Sequence, residues 1–111
     1  MKEIKFEICG KKYPAKLTVS KYQKYDNLAL IAEYDYEGEK ESIVLSTNII
    51  ELPPNMVCLD ENNLTNYGLW DTITEFIREN ELADIRGYIP SGYCEYPLYE
   101  FDLAKLGEVC S

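Results

Sequence analysis

A chain of 111 residues is one domain long, and a domain of this size hides ~65% of the surface its unfolded chain would expose, enough for a core without metal or disulfide staples. Its 46% hydrophobic content, with 10 tyrosines but only 6 glycines and 5 prolines, excludes a disordered or fibrous chain. Twenty acids against eleven bases, net −9, disfavour nucleic-acid backbones and anionic membrane surfaces and favour basic partners. The charge is also divided along the chain. Residues 1 to 24 hold seven lysines and two glutamates, net +5, so residues 25 to 111 carry eighteen acids and four bases, net −14.

The opening MKEIKFEI alternates charged and apolar residues, unlike the uninterrupted apolar stretch of a secretion signal, and predicts a fold that begins at Met1. Ile4, Phe6 and Ile8 mark one face of a strand, CGKK turns the chain at Gly10, and Tyr13, Ala15, Leu17 and Val19 return as a second strand. Pro14 lacks an N–H, which predicts that this second strand lies at a sheet edge or starts near the proline. Leu28, Leu30, Ala32, Tyr34 and Tyr36 alternate as a third strand; EGEK turns it, and Ile43 and Leu45 face inward from a fourth. After Pro53 and Pro54, MVCL is a short fifth strand.

The period changes at Leu69. Leu69, Trp70, Ile73, Phe76 and Ile77 form the wide apolar stripe of an amphipathic helix that fades near Asn80 to Leu82, with Asn66 as N-cap, Asp71 at the positive end of its dipole and Trp70 buried. Pro90, Gly92 and Pro97 interrupt GYIPSGYCEYPLYEFD, residues 87 to 102, and predict an ordered loop anchored by Leu98 and Phe101. Leu103 and Leu106 close it with one helical turn before Gly107. The expected architecture is a single α+β domain, residues 1–111: an antiparallel meander of four or five strands, one helix packed on one face, and a C-terminal loop.

Two groups of residues are candidates for binding. Tyr88, Tyr93, Tyr96 and Tyr99 offer flat apolar area with a polar tip, as binding surfaces prefer; the plainer reading is a loop that brings its own apolar groups in order to be held in place. Asp71, Glu75 and Glu79 recur every four residues as an acidic ridge. Such a ridge can imitate phosphates or dock a basic partner, although a charge run more commonly serves solubility alone. The lysine-rich hairpin has no arginine and no recognition helix after it, so its lysines are better read as guarding an edge strand, or as meeting the acidic half of another copy.

Chemistry is sparse. With no histidine and with Cys9, Cys58, Cys94 and Cys110 standing apart in sequence, the chain predicts free thiols in a reducing cytoplasm, no metal and no cofactor. A Cys or Ser nucleophile lacks its usual base, and no glycine-rich phosphate loop is present, so no catalytic residue is assigned. The longest apolar run, Leu28 to Ala32, is too short for a membrane span.

The segment SGYCEYPLYEFDL, preceded by NNLTNYGLWDTITEFIRENELADIRG and a strand-rich N-terminal half, resembles a domain-of-unknown-function family of small proteins from plasmids, conjugative elements and phages of gut Firmicutes. The likeness is strongest at Asn62-Asn63, Trp70, Phe76-Ile77, Gly87, Ser91-Gly92 and Tyr96 to Phe101. It implies a genomic setting and carries over no activity. The functional expectation is an accessory protein of a mobile element that binds a basic protein, in its sharper form an acidic inhibitor or DNA mimic acting on a host defence protein. The alternatives are a small-ligand binder or enzyme with a pocket under the tyrosine segment, lined by Tyr93, Tyr96 and Glu95, and a structural homo-oligomer subunit.

Overall fold

The structure, a computed structural model, describes residues 4–110; the expected start of the fold at Met1 lies outside them. The first four strands form the predicted meander: β1 (Ile4–Ile8), β2 (Lys11–Lys21), β3 (Leu28–Tyr36) and β4 (Glu39–Val44) pair in the order β1-β2-β3-β4. Two tight turns set it. Cys9 and Gly10 (φ 52° and 80°) and Glu37 and Gly38 (φ 51° and 85°) take the left-handed conformation that two-residue hairpin loops require.

Pro14 does not place β2 at an edge. β2 is internal, flanked by β1 and β3, but Pro14 is opposite Lys5 of β1 and pairing with β3 begins only at Ala15. The prolyl nitrogen is tolerated because the second ladder has not yet started there. Tyr13 and Tyr36, just beyond that ladder, pack with ring centroids 5.1 Å apart and planes tilted by 54°.

The fifth strand leaves the meander. β5 (Ser46–Thr47) and β6 (Met56–Leu59) belong to a second antiparallel sheet, completed by β7 (Ala83–Ser91) and β8 (Cys94–Phe101) in the order β5-β6-β8-β7. Leu45 is the stitch between the sheets: its N–H bonds to the Leu30 carbonyl at 2.8 Å, and its own carbonyl accepts from Asp60 N–H at 2.9 Å.

The residues expected to form a C-terminal loop are thus a hairpin. Both prolines fit it. Pro90 lies on β7, the edge strand, and Pro97 precedes Leu98, where the β6 ladder ends, so neither removes a bond from an internal ladder. Gly92 turns the tip at φ 62°.

The predicted helix forms as α2 (Trp70–Glu79), one of three helices among the described residues, with α1 (Glu61–Asn66) before it and α3 (Leu103–Val109) after β8. Asn66 ends α1 and does not cap α2, whose N-cap position is Leu69, with no side-chain cap bond. Ile73, Phe76 and Ile77 are buried as the stripe requires, but Trp70 is only half-buried at the margin of the core. α3 runs past Gly107 to Val109 because Asp102 caps it, accepting from the Ala104 and Lys105 N–H groups at 3.1 Å each.

Residues of both sheets and all three helices join one buried cluster, including Phe6 and Leu30 of the first sheet, Leu59 and Phe101 of the second, and Leu64, Ile73 and Leu106 of the helices. Asn27 is buried too. Its amide donates to Asn48 Oδ1 (2.8 Å) and the Ile50 carbonyl (2.6 Å) and accepts from Leu52 N–H (2.9 Å), pinning the β5–β6 connection to the end of the β2–β3 connection.

Candidate functional site

The β7–β8 hairpin carries all four predicted tyrosines, and its register decides where each one points. Ile85 is opposite Tyr99 and Gly87 opposite Leu98, so Arg86 is an extra residue, a β-bulge, made possible by Gly87 at φ 146°. Without the bulge, Ile85 and Tyr88, three residues apart, would lie on opposite faces of the strand. With it, Tyr88 pairs with Pro97 and shares a face with Ile85 and Tyr99.

The result is an apolar stripe on ordered backbone. Ile85 is 47% and Tyr88 55% exposed, Tyr99 lies half-buried between them, and Tyr93 at the hairpin tip is fully exposed. Burial raises the Tyr99 phenol above its ordinary value of 10.0, and the neighbouring Tyr88 and the Glu61 carboxylate add to the shift. Tyr96 does not join them: with Cys94, Leu98 and Glu100 it faces the other side of the sheet. Its phenol is likewise raised above 10.0, by partial desolvation first, then by Cys94 and the Asp60 carboxylate. Leu98, expected as a core anchor, is half-exposed on that second face, while Phe101 is buried as predicted and Pro97 is buried beside it.

The stripe opens into a groove of about 640 Å³ between α2, the start of β7, the end of β8 and α3. Ile77, Leu82, Ile85 and Tyr99 supply apolar lining, and Arg78, Lys105, Glu81, Asp84, Glu100 and Asp102 the charged rim. Part of that charge is already paired: Arg86 Nε donates to Glu100 Oε1 at 2.9 Å, and Lys105 reaches Glu81 at 3.3 Å. The pocket anticipated under Tyr93, Tyr96 and Glu95 is not this groove, which touches none of the three.

The acidic ridge is exposed along its length. Asp71, Glu75 and Glu79 project from α2 on the row next to Thr74 and Arg78, which line the groove. The ridge and the stripe therefore flank one groove without forming a single cluster. Of the cysteines, Cys9 is exposed, Cys94 and Cys110 half-buried and Cys58 buried, all as free thiols. Among the described residues no group of three His, Cys, Asp or Glu side chains gathers closely enough to hold a metal, and no helix is long and apolar enough to cross a membrane.

Ile85 is the surface residue that sequence reading missed. Its signal was hidden because a bulge breaks the alternation that would have displayed Ile85 and Tyr88 as one face. Residues 16–111 match the domain of unknown function DUF4313, and the chain belongs to that family. No curated protein and no solved structure matches it.

Proposed function

We propose that this protein acts by binding a basic protein through the Ile85–Tyr99–Tyr88 stripe and Tyr93 of the β7–β8 hairpin, with the acidic ridge of α2 steering the approach. The observation that carries this reading is the exposure of Ile85, Tyr88 and Tyr93 together on one hydrogen-bonded hairpin. Large, rigid side chains held there lose little entropy on docking. The net charge of −14 over residues 25 to 111 supplies the complementarity to a basic partner. The setting we favour is the cytoplasm, as an accessory product of a mobile genetic element. In the sharpest form the protein inhibits a host defence protein, with Asp71, Glu75 and Glu79 standing where phosphates would lie. No catalytic role is assigned.

A small-ligand reading attaches to the groove beside the stripe, whose volume of about 640 Å³ suits one small molecule. The two readings separate by mutation. Ile85→Ser, Tyr88→Ser and Tyr93→Ser combined should abolish capture of a basic protein from host extract while leaving the fold intact. Asp71→Asn, Glu75→Gln and Glu79→Gln combined should weaken that capture and flatten its salt dependence. Equal capture by all three proteins would refute the proposal, as would tight binding of DNA by the wild type.

A further inference from the structure

A second cavity, of about 420 Å³, shares no lining residue with the groove and lies where β1 ends, β4 passes and the α1–α2 connection returns. Tyr34 and Tyr67 both line it, with Leu69 and Ile43 as apolar lining and the exposed carboxylate of Glu41 at the rim; Glu7 borders it from β1, but its side chain, alternating with Phe6 and Ile8, lies on the opposite face of the sheet. Each aromatic is positioned by the fold. Tyr34 stands edge-on to Phe6, with centroids 5.5 Å and planes 71° apart, and lies opposite Glu41 across the β3–β4 ladder. Tyr67 caps α1 through its N–H to the Asn63 carbonyl at 3.2 Å, and Gly68 (φ 72°) then turns the chain into α2. The Tyr34 phenol is raised above 10.0 by burial first, then by the Glu41 charge and by Tyr67, which places all three groups in one electrostatic neighbourhood.

Among the described residues no lysine or arginine lines this cavity. Glu41 takes part in no ion pair among the described residues. The Glu41 carboxylate, the two tyrosine rings and the apolar lining together repel anions, and they offer too few oxygens for a divalent metal. They suit a cation that carries its own alkyl stem: the charge meets carboxylate and ring faces, and the stem covers Ile43 and Leu69.

We propose that the Tyr34–Tyr67 pocket binds an alkylammonium group, either a free amine or a lysine side chain. This assignment stands whether or not the hairpin binds a protein. The test is a titration of the full-length protein, followed by backbone and tyrosine-ring NMR signals, with n-butylammonium, N-acetyl-lysine methylamide and the neutral isostere n-butanol. Both ammonium compounds should shift the Tyr34 and Tyr67 signals saturably, and n-butanol should bind at least about threefold more weakly, the scale of an exposed cation–π contact. Glu41→Gln and Tyr67→Ala, both at exposed positions, should each weaken n-butylammonium by a similar factor; the Glu41 change should leave n-butanol unaffected. Binding of n-butylammonium without N-acetyl-lysine methylamide would support the pocket with a free amine as its ligand. Equal affinity for n-butanol and n-butylammonium, shifts confined to other surfaces, or no effect of Glu41→Gln would overturn the proposal.

Discussion

Arg86, the extra residue of the β7 bulge, reaches across to Glu100 on β8 with Nε 2.9 Å from Oε1, while Gly87 beside it resumes pairing at Leu98. The bulge puts Ile85 and Tyr88 on one face, so the hairpin's surface depends on a backbone irregularity as well as on its side chains. Gly87→Ala should cost ~1 to 3 kcal/mol, because φ 146° is strained for any L side chain although an added Cβ meets nothing within 4 Å. Arg86→Ala should cost less than ~1 kcal/mol, since its ion pairs are half in solvent. Urea denaturation of the two variants checks the order, and the reverse order would mean that the ion pair sets the bulge.

Asn27 joins residues 48 to 52 to the end of the β2–β3 connection from a site only 3% exposed. Asn27→Ala should destabilise by ~1 to 3 kcal/mol, because it unpairs the Leu52 N–H and the Ile50 carbonyl at a part-buried site that water reaches from the Ile50 side, Ile50 being 42% exposed. Asn27→Asp should cost as much or more, since it keeps the acceptor but aims a carboxylate at Asn48 Oδ1 and the Ile50 carbonyl. Thermal unfolding of both variants reads this; an unchanged Tm for either would show that the network does not hold the segment.

The helix stripe makes a graded prediction. Ile73, 2% exposed, should lose ~2 to 5 kcal/mol on truncation to alanine. Trp70→Ala should fall below the ~3 to 5 kcal/mol of a fully buried aromatic, because the ring is half-buried at the edge of the core. Tryptophan emission between the fully buried and fully exposed extremes would accompany that result; a deeply blue-shifted spectrum would contradict it.

What was legible in the sequence is the part governed by uninterrupted alternation and by one strong helical period. Ile4-Phe6-Ile8 and Leu28-Leu30-Ala32 alternate cleanly, and Ile73-Phe76-Ile77 recur at helical spacing, so the meander and α2 followed directly. The second sheet was hidden for two physical reasons. The bulge at Arg86 shifts the phase of β7 halfway along, and Pro90 and Pro97 resemble strand breakers unless an edge or a ladder end is available to receive them. Which strands are neighbours is a tertiary fact that no local pattern carries. The tyrosines were recognisable as a group, but only the register showed that Tyr88 and Tyr99 share a face while Tyr96 leaves it.

Burial raises the Cys58 and Cys110 thiols above their ordinary value of 9.0. A group whose folded pKa lies above its unfolded one contributes stability that is present below the unfolded value and lost as pH rises through the folded one. Stability should therefore decline as pH climbs past about 9, and Cys58→Ala should make that decline shallower. Thermal melts across this range test the sign. Thiol labelling at neutral pH should modify exposed Cys9 first and buried Cys58 last; rapid labelling of Cys58 would indicate that β6 opens readily.

The central claim, that the β7–β8 hairpin is a protein-binding surface, is tested most directly by hydrogen exchange on the protein alone and with the basic protein it captures. The account predicts slowed exchange at the outward-facing amides of β7, Ala83–Ser91, and at Tyr93, with weaker protection along α2. Protection confined to the β1–β4 meander, with β7 unchanged, would contradict it.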